Sequence, residues 1–380
     1  MYNCSDYIKN MEIGSDSYGY VAKYAKVIHT DMSETSNIVR NGDYAMFKDR
    51  DEYILLGYFG DKTSLVLPEI ATSINAYAFY ENKKITSITL GSNITTIGEY
   101  AFYYNQKITS ITLGSNLKAI GERAFYDCDN LVEVVNKSGL NIVAGSSGNG
   151  YVAYNAQKVL NSEDEKGEVF NVGDYSFYKQ GGEYILYRYN GFDKELTLPT
   201  LIDGGHLYQI GRGVLRHKDV VSVIMPESVI AIDDEAFSGC SSLTSVVIPE
   251  SVTAIGYSAF YGCSNLTSVV IGKNVSTIDE YAFSGCSSLT SVVIPESVTA
   301  IGDSAFSSCS NLTSVVIGEN VSTIGSRAFY GCSKLTSVEF KNPEGWKRGS
   351  AAILADDLRN YETAATYFTS SYYWYTWTRG

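Results

Sequence analysis

Residues 243–265 read LTSVVIPESVTAIGYSAFYGCSN, and residues 289–311 read LTSVVIPESVTAIGDSAFSSCSN. Between them lies LTSVVIGKNVSTIDEYAFSGCSS and after them LTSVVIGENVSTIGSRAFYGCSK, so one 23-residue unit is written four times in succession. Residues 243–288 and 289–334 share 37 identities in 46 positions, which sets the period beyond coincidence. A fixed period in this range means a solenoid, because one such unit cannot bury its apolar face until neighbours stack on it.

The unit reads residue by residue. Leu243, Val246 and Ile248 follow the L-x-x-h-x-h spacing of a short strand whose alternate side chains face one way. Val252, Ile255, Ala259, Phe260 and Cys263 carry the inward face around the return path. Pro249, or Gly272 in the alternate coils, ends the strand, while Gly256 and Gly262 allow bends that a Cβ would obstruct. Stacked strands are then parallel and about 4.8 Å apart, so each column repeats one side chain. The pattern C-x-x-L-x-x-V-x-I-P-x-x-V-x-x-I-G-x-x-A-F resembles the BspA-like (Treponema-type) leucine-rich repeat family of bacterial surface proteins. That resemblance implies a leucine-rich-repeat solenoid at a surface or secreted location, and adhesion or other macromolecular recognition. It implies no enzyme and transfers no residue-level site.

Composition narrows the classes. With 19% charged and 44% hydrophobic residues the chain of 380 residues is ordered, and a repeat array escapes the usual limit on domain size by growing along one axis. A net charge of −13 opposes a phosphate backbone or an anionic membrane as partner. No apolar run reaches the ~18 residues of a membrane span. MYNCSDYIKN lacks the basic start and apolar core of a signal peptide, and no wall-anchor or lipidation signal is visible. Set beside the export implied by the family, this suggests that Met1 opens a trimmed mature fragment.

Cys240, Cys263, Cys286, Cys309 and Cys332 are each 23 residues apart, and Cys128 falls in the same place of an earlier array after Asn82 and Asn105. A column that accepts Cys or Asn points to a small side chain touching loop backbone. No C-x-x-C cluster marks a metal site, and neither metal nor cofactor is expected.

In chain order, residues 1–61 read as the end of a preceding repeat, a short helix at 20–27 and a β-hairpin of Tyr44–Lys48 with Glu52–Tyr58. Residues 62–140 hold a first array with strand starts at Lys62, Ile85, Ile108 and Leu131. Residues 141–192 repeat the helix (151–159) and hairpin (Tyr175–Lys179 with Glu183–Tyr189), since 14–68 and 145–199 share 21 identities over 55 positions. In both copies a polar loop, 29–42 and 161–173, joins helix to hairpin. Residues 193–340 form the second array, with a four-residue insertion near Gly204-Gly205-His206, and 341–380 a C-terminal cap. The fold expected is thus mainly β, built of short parallel strands, with inserted hairpins serving as decorations or a wedge that joins the arrays into one curved body. The cap is read as a helix around 350–361 and an aromatic strand from Tyr372 to Trp377, with sugar stacking as the sharper use of those aromatics.

Reaction chemistry finds little support. Of the histidines His29, His206 and His217, the last falls in the Asn/Cys column and the second in the insertion. No G-x-S-x-G elbow, P-loop or H-E-x-x-H occurs. Glu250 and Glu296 recur by period, whereas a catalytic pair is unique, and Asp233-Asp234-Glu235 lacks the alternating ligands of a calcium loop.

What remains is surface. On the strand face opposite the core stand Ser245, Ser268, Ser291 and Ser314 in one column and Val247, Val270, Val293 and Val316, preceded by Ile224, in the next. Val66, Thr89, Thr112 and Val135 are their counterparts in the first array. Such a strip either fills strands with β-formers or docks a partner, a protein or glycan on host or neighbouring cells. The alternative function is a passive spacer holding another domain away from the cell.

Overall fold

The computed structural model of the chain describes residues 37–369 and 373–379. The repeat remnant expected at 1–13 and the helix expected at 20–27 lie outside these. The chain divides into two compact units, Met1–Gly167 and Glu168–Gly380.

Each unit opens on an antiparallel three-stranded sheet. In the first, Ile38–Asn41 pairs with Tyr44–Asp49 and that with Glu52–Tyr58; in the second, Glu168–Val172, Tyr175–Gln180 and Glu183–Tyr189 pair likewise. Both expected hairpins are present, turning at Arg50 (φ 55°) and at Gly181-Gly182 (φ 58° and 87°). Both bulge at the same place, after Ala45 and after Ser176. Two expectations are corrected. The stretches read as polar loops supply a third strand to each sheet. The hairpins are also no mere decorations, because Glu52–Tyr58 pairs in parallel with Ser73–Ile74 and Glu183–Tyr189 with Tyr208–Ile210. The first coil of a solenoid exposes a row of unpaired N–H and C=O groups, and the hairpin satisfies them.

Each coil then contributes two short strands. Ser245–Val247 pairs in parallel with Ser268–Val270, and Ala254–Ile255 with Thr277–Ile278. At the third side Phe260 N–H donates to Ala282 O and Gly262 N–H to Ser284 O, so the turn is also tied coil to coil. Leu243, Val246, Ile248, Val252, Ile255, Ala259, Phe260 and Cys263 are all buried, as the spacing predicts. Phe237, Phe260, Phe283, Phe306 and Phe329 form one stack with centroids 5.0–5.4 Å apart. Thr and Ser hydroxyls form ladders of their own, each donating to the carbonyl one coil back, as Thr267 does to Thr244.

Two glycine columns have distinct causes. Gly239, Gly262, Gly285 and Gly331 hold φ between 68° and 78°, a left-handed bend that Gly adopts without strain. A Cβ on Gly272 would lie 2.2 Å from Pro249 O, and on Gly318 2.4 Å from Pro295 O. Thus the backbone after Pro249 and Pro295 leaves no room for a Cβ in the next coil, whereas Pro226 is followed in the same column by Pro249 itself.

The helix expected at 151–159 is not formed. The chain makes a 3-10 turn at Asn149–Tyr151 and a strand at Lys158–Leu160 that pairs in parallel with Glu133–Asn136. Asn149, Gly150 and Tyr151 all carry positive φ (48°, 61° and 66°), which no α-helix accommodates. With Val152, Ala153 and Ala156 buried, this segment is a further degenerate coil.

At the other end of the second unit the expected helix is shifted and split into Ala355–Arg359 and Tyr361–Thr369. The aromatic strand is Trp377–Arg379, antiparallel to both Thr323–Ile324 and Trp346–Arg348. Trp346, Trp377, Phe368 and Leu358 are buried and cap the last coil, whereas Trp374 and Tyr375 of the same aromatic stretch stand 54% and 49% exposed.

The cysteine column is a hydrogen-bond ladder. Cys263, Cys286, Cys309 and Cys332 donate Sγ–H to the carbonyls of Phe237, Phe260, Phe283 and Phe306 at 3.2–3.3 Å. Asn105 does the same work through Nδ2, to Phe79 O at 2.7 Å and Phe102 O at 2.8 Å, which explains why this column accepts both residue types. Burial pushes the thiols of Cys128, Cys240 and Cys286 up to about 12. At pH 8 only about 1 in 10⁴ of such thiols is ionised, and the thiolate is the reactive species. Cys128, Cys240, Cys263, Cys286, Cys309 and Cys332 are all buried free thiols, so they should resist DTNB in the folded protein and react in urea. Rapid modification of several in the native state would contradict the ladder.

Candidate recognition surface

The strip expected on the strand face is where the spacing places it. Val246 points inward while Ser245 and Val247 point out, and the register stacks Ser245 on Ser268 and Val247 on Val270. Ile224, Val247, Val270 and Val293 are 58–65% exposed, an unusual degree for large apolar side chains in a row. Ser268 and Ser291 are also exposed, whereas Ser314 and Val316 are half-buried. Val316 lies opposite Glu339, whose carboxylate pairs with Lys341 Nζ at 2.7 Å, so the apolar row ends in charge. The regular pairing is interrupted between Ser268–Val270 and Ser291–Val293, which belong to separate sheets. The strip contains no titratable group; it can exclude water against an apolar partner and donate serine hydroxyls, and nothing more.

The matching row in the first unit is not a surface throughout. Val66 is 70% exposed, but Thr112 and Val135 are buried. The acidic stretch read as loop closes down here: Gly167 N–H donates to the buried Glu133 at 2.8 Å, and Glu163 pairs with Lys166 at 2.6 Å and Lys137 at 3.3 Å. Burial pushes the Glu163 carboxyl up, yet the hydrogen bond and charge of Lys166, with Lys137, hold it below the usual range.

The remaining polar candidates have structural partners. Asp233 Oδ1 accepts from Asp234 N–H at 2.8 Å, Asp234 pairs with Arg212 at 2.8 Å, and Glu235 pairs with Arg216 at 2.6 Å. These carboxylates are tied to turns and arginines rather than simply solvated. His206 is exposed and stacks on Tyr184 at 4.6 Å, beside an Asp203 carboxylate that accepts from both Lys179 and Tyr184. His217 is not in the Asn/Cys column. Its N–H donates to Ser238 O and its φ is 56°, so it takes the left-handed place of Gly239, and the coil is one residue short.

One feature of the first unit was not singled out from the sequence. Tyr77 stacks on Tyr100 (5.3 Å), and Tyr80 on Tyr103 (5.1 Å), which stacks on Tyr126 (5.9 Å), all with planes within 10°. Arg123 reaches Tyr100 Oη at 3.3 Å and lies 5.7 Å from the Tyr126 ring. The signal was available: AYAFYENKK, EYAFYYNQK and ERAFYDCDN place tyrosine at non-core positions one period apart. It was hidden because tyrosine in a strand-rich chain is unremarkable until its neighbours are known.

The family model for the BspA type leucine rich repeat region matches residues 58–180 and 208–342, in six copies. The chain belongs to the BspA-type leucine-rich-repeat family. Among solved structures, this BspA-type protein is similar to a leucine rich cell surface protein of Faecalibacterium prausnitzii, at 18% identity, covering 82% of this chain and 96% of that one with a TM-score of 0.40. A leucine-rich repeat protein of Bacteroides ovatus is 21% identical over 81% of this chain and 71% of its own, with a TM-score of 0.37. The pneumococcal vaccine antigen PcpA is 15% identical over 84% and 90%, with a TM-score of 0.39. No significant match is found among curated proteins. Among the described residues of the BspA-type chain, no group of three metal-ligating side chains and no helix long and apolar enough to cross a membrane occurs.

Proposed function

We propose that this BspA-type chain is a non-enzymatic recognition module of a bacterial surface protein, binding a macromolecule on host or neighbouring cells along the valine strip of its second unit. One observation carries the reading: Ile224, Val247, Val270 and Val293 stand 58–65% exposed in a single row, flanked by serines. An isolated exposed valine needs no explanation, but a contiguous apolar row favours a partner that covers it. The family is a solenoid class that works through extended surfaces, and a surface location fits it.

The triple substitution Val247→Glu, Val270→Glu and Val293→Glu tests this. Binding of the full chain to immobilised matrix proteins and to glycan arrays should fall by about tenfold or more, while the thermal midpoint stays within a few degrees because these side chains leave the core untouched. Unchanged binding would remove the strip from the proposal. A screen that finds no ligand for either protein would favour the spacer.

A further inference from the structure

We infer that the second unit is hinged: the seam between the coil 266–288 and the coil 289–311 opens and closes on the valine face, with rigid stacks on either side. Ser268–Val270 pairs fully with Ser245–Val247 behind it, and Ser291–Val293 with Ser314–Val316 ahead of it, yet the two belong to separate sheets. Ile248 N–H donates to Val270 O at 2.9 Å and Ile294 N–H to Val316 O at 2.8 Å, but no such bond runs from Ile271 to Val293 among the described residues. Thr290 N–H reaches Thr267 O at 3.4 Å, against 2.9 Å for Thr267 on Thr244 and for Thr313 on Thr290. The inward side chains register the same gap. Val269 and Ile271 are 9% and 8% exposed, whereas Val246, Ile248, Val292 and Ile294 are 1–2%.

The cause lies in the following coil, not in the coil itself. Residues 266–272 and 312–318 both read LTSVVIG, yet Ile317 is 1% exposed and its carbonyl accepts from Lys341 N–H at 3.0 Å. In the place of Lys341, one coil beyond Ile271, stands Pro295, which has no N–H to donate. Its ring also brings a Cβ into a column where the tight junctions have no room for one, since a Cβ on Gly272 would lie 2.2 Å from Pro249 O. Pro249 over Pro226 loosens its junction in the same way. There the strands keep one register pair, Ser222 with Ser245, and Val223 and Met225 are 7% and 8% exposed. Pro226 follows Pro199 without a seam, in the coil that carries the four-residue insertion.

The other two sides of the coil stay tied at the seam. Thr277–Ile278 pairs with Ala300–Ile301, Phe283 N–H donates to Ala305 O at 2.7 Å, and the rings of Phe283 and Phe306 stack at 5.3 Å. Two tied sides and one untied side define a hinge axis, and opening moves the strand side alone. The valine strip is therefore two rigid halves, Val247 with Val270 and Val293 with Val316, whose mutual angle the seam sets. The hinge is a property of the backbone and stands whether or not the strip binds a partner.

Hydrogen–deuterium exchange of the full chain, read by mass spectrometry on the peptides 266–274 and 312–320, tests this. The two differ only at Lys273 and Glu319, so their intrinsic rates match. Exchange in 266–274 should be about tenfold faster or more. Pro295→Gly supplies the residue that the tight junctions carry and should slow 266–274 to the rate of 312–320. Spin labels on Thr244→Cys and Thr336→Cys in a Cys4→Ser background, four coils and about 19 Å apart, report the motion itself. Their distance distribution should be broad in the parent chain and should collapse to one narrow peak with Pro295→Gly. Equal exchange in the two peptides, exchange in 266–274 that Pro295→Gly leaves unchanged, or equally narrow distributions in both backgrounds would each overturn the hinge. Neither readout uses a ligand, so the hinge and the binding strip fail or stand separately.

Discussion

Phe283→Ala should destabilise the second unit by about 3–5 kcal/mol, and lower its thermal midpoint by roughly 6–20 °C. Phe283 is fully buried, 5.1 Å from Phe260 and 5.3 Å from Phe306, with planes within 6° of each. Its backbone N–H also donates to Ala305 O at 2.7 Å, so the ring sits on a rung that cannot shift to fill a void. In a globular core the surroundings partly collapse onto a cavity. Here each coil touches only the coil before and the coil after, so collapse on one side opens a gap on the other. The same local coupling predicts the shape of the transition. Weakening the middle of the stack should split urea unfolding into two steps, with the coils on either side melting apart. A single sharp transition shifted by less than 1 kcal/mol would show that the stack is not held coil by coil.

The second large effect belongs to the cap. Trp377 is buried, 4.6 Å from Phe368 and 6.4 Å from Phe340, and its strand is the antiparallel partner of Thr323–Ile324 in the last coil. Trp377→Ala should cost about 3–5 kcal/mol, but the loss should be local. Without the cap the last coil presents unpaired strand edges and the Phe329 face to water, which invites fraying and edge-to-edge association. Hydrogen exchange in 312–340 should accelerate by about a hundredfold, while 222–260 stays protected. Uniform acceleration along the unit would mean that it unfolds as one block. Light scattering on warming should rise earlier than in the parent protein.

The two substitutions probe features that differ in legibility. Phe283 was readable as core from the repeat alone, since each Ala-Phe pair recurs every 23 residues and a column in a stack has one environment. Val247 facing out and Val246 facing in follow from strand alternation in the same way. Trp377 was readable only as part of some cap. Its partners Phe368 and Trp346 come from non-repeating sequence, where no column averages out the ambiguity, and only Phe340 occupies a repeat column, that of Ile317. The segment at 151–159 shows the cost of reading without a register: its apolar spacing suits a helix, and only the strand Glu133–Asn136 beside it makes it a coil. His217 was misplaced by a single residue because a shortened coil leaves no mark in composition.

From sequence alone, the period determined the solenoid, the inward columns and the outward valine and serine rows, because translation along a stack gives every equivalent residue the same neighbours. Tertiary structure alone decided that hairpins complete the first coils, that Thr112 and Val135 are covered while Val247 and Val270 are not, and that tyrosines align in files. Those outcomes depend on contacts between segments that repeat nothing, and periodicity carries no information about where such segments come to rest.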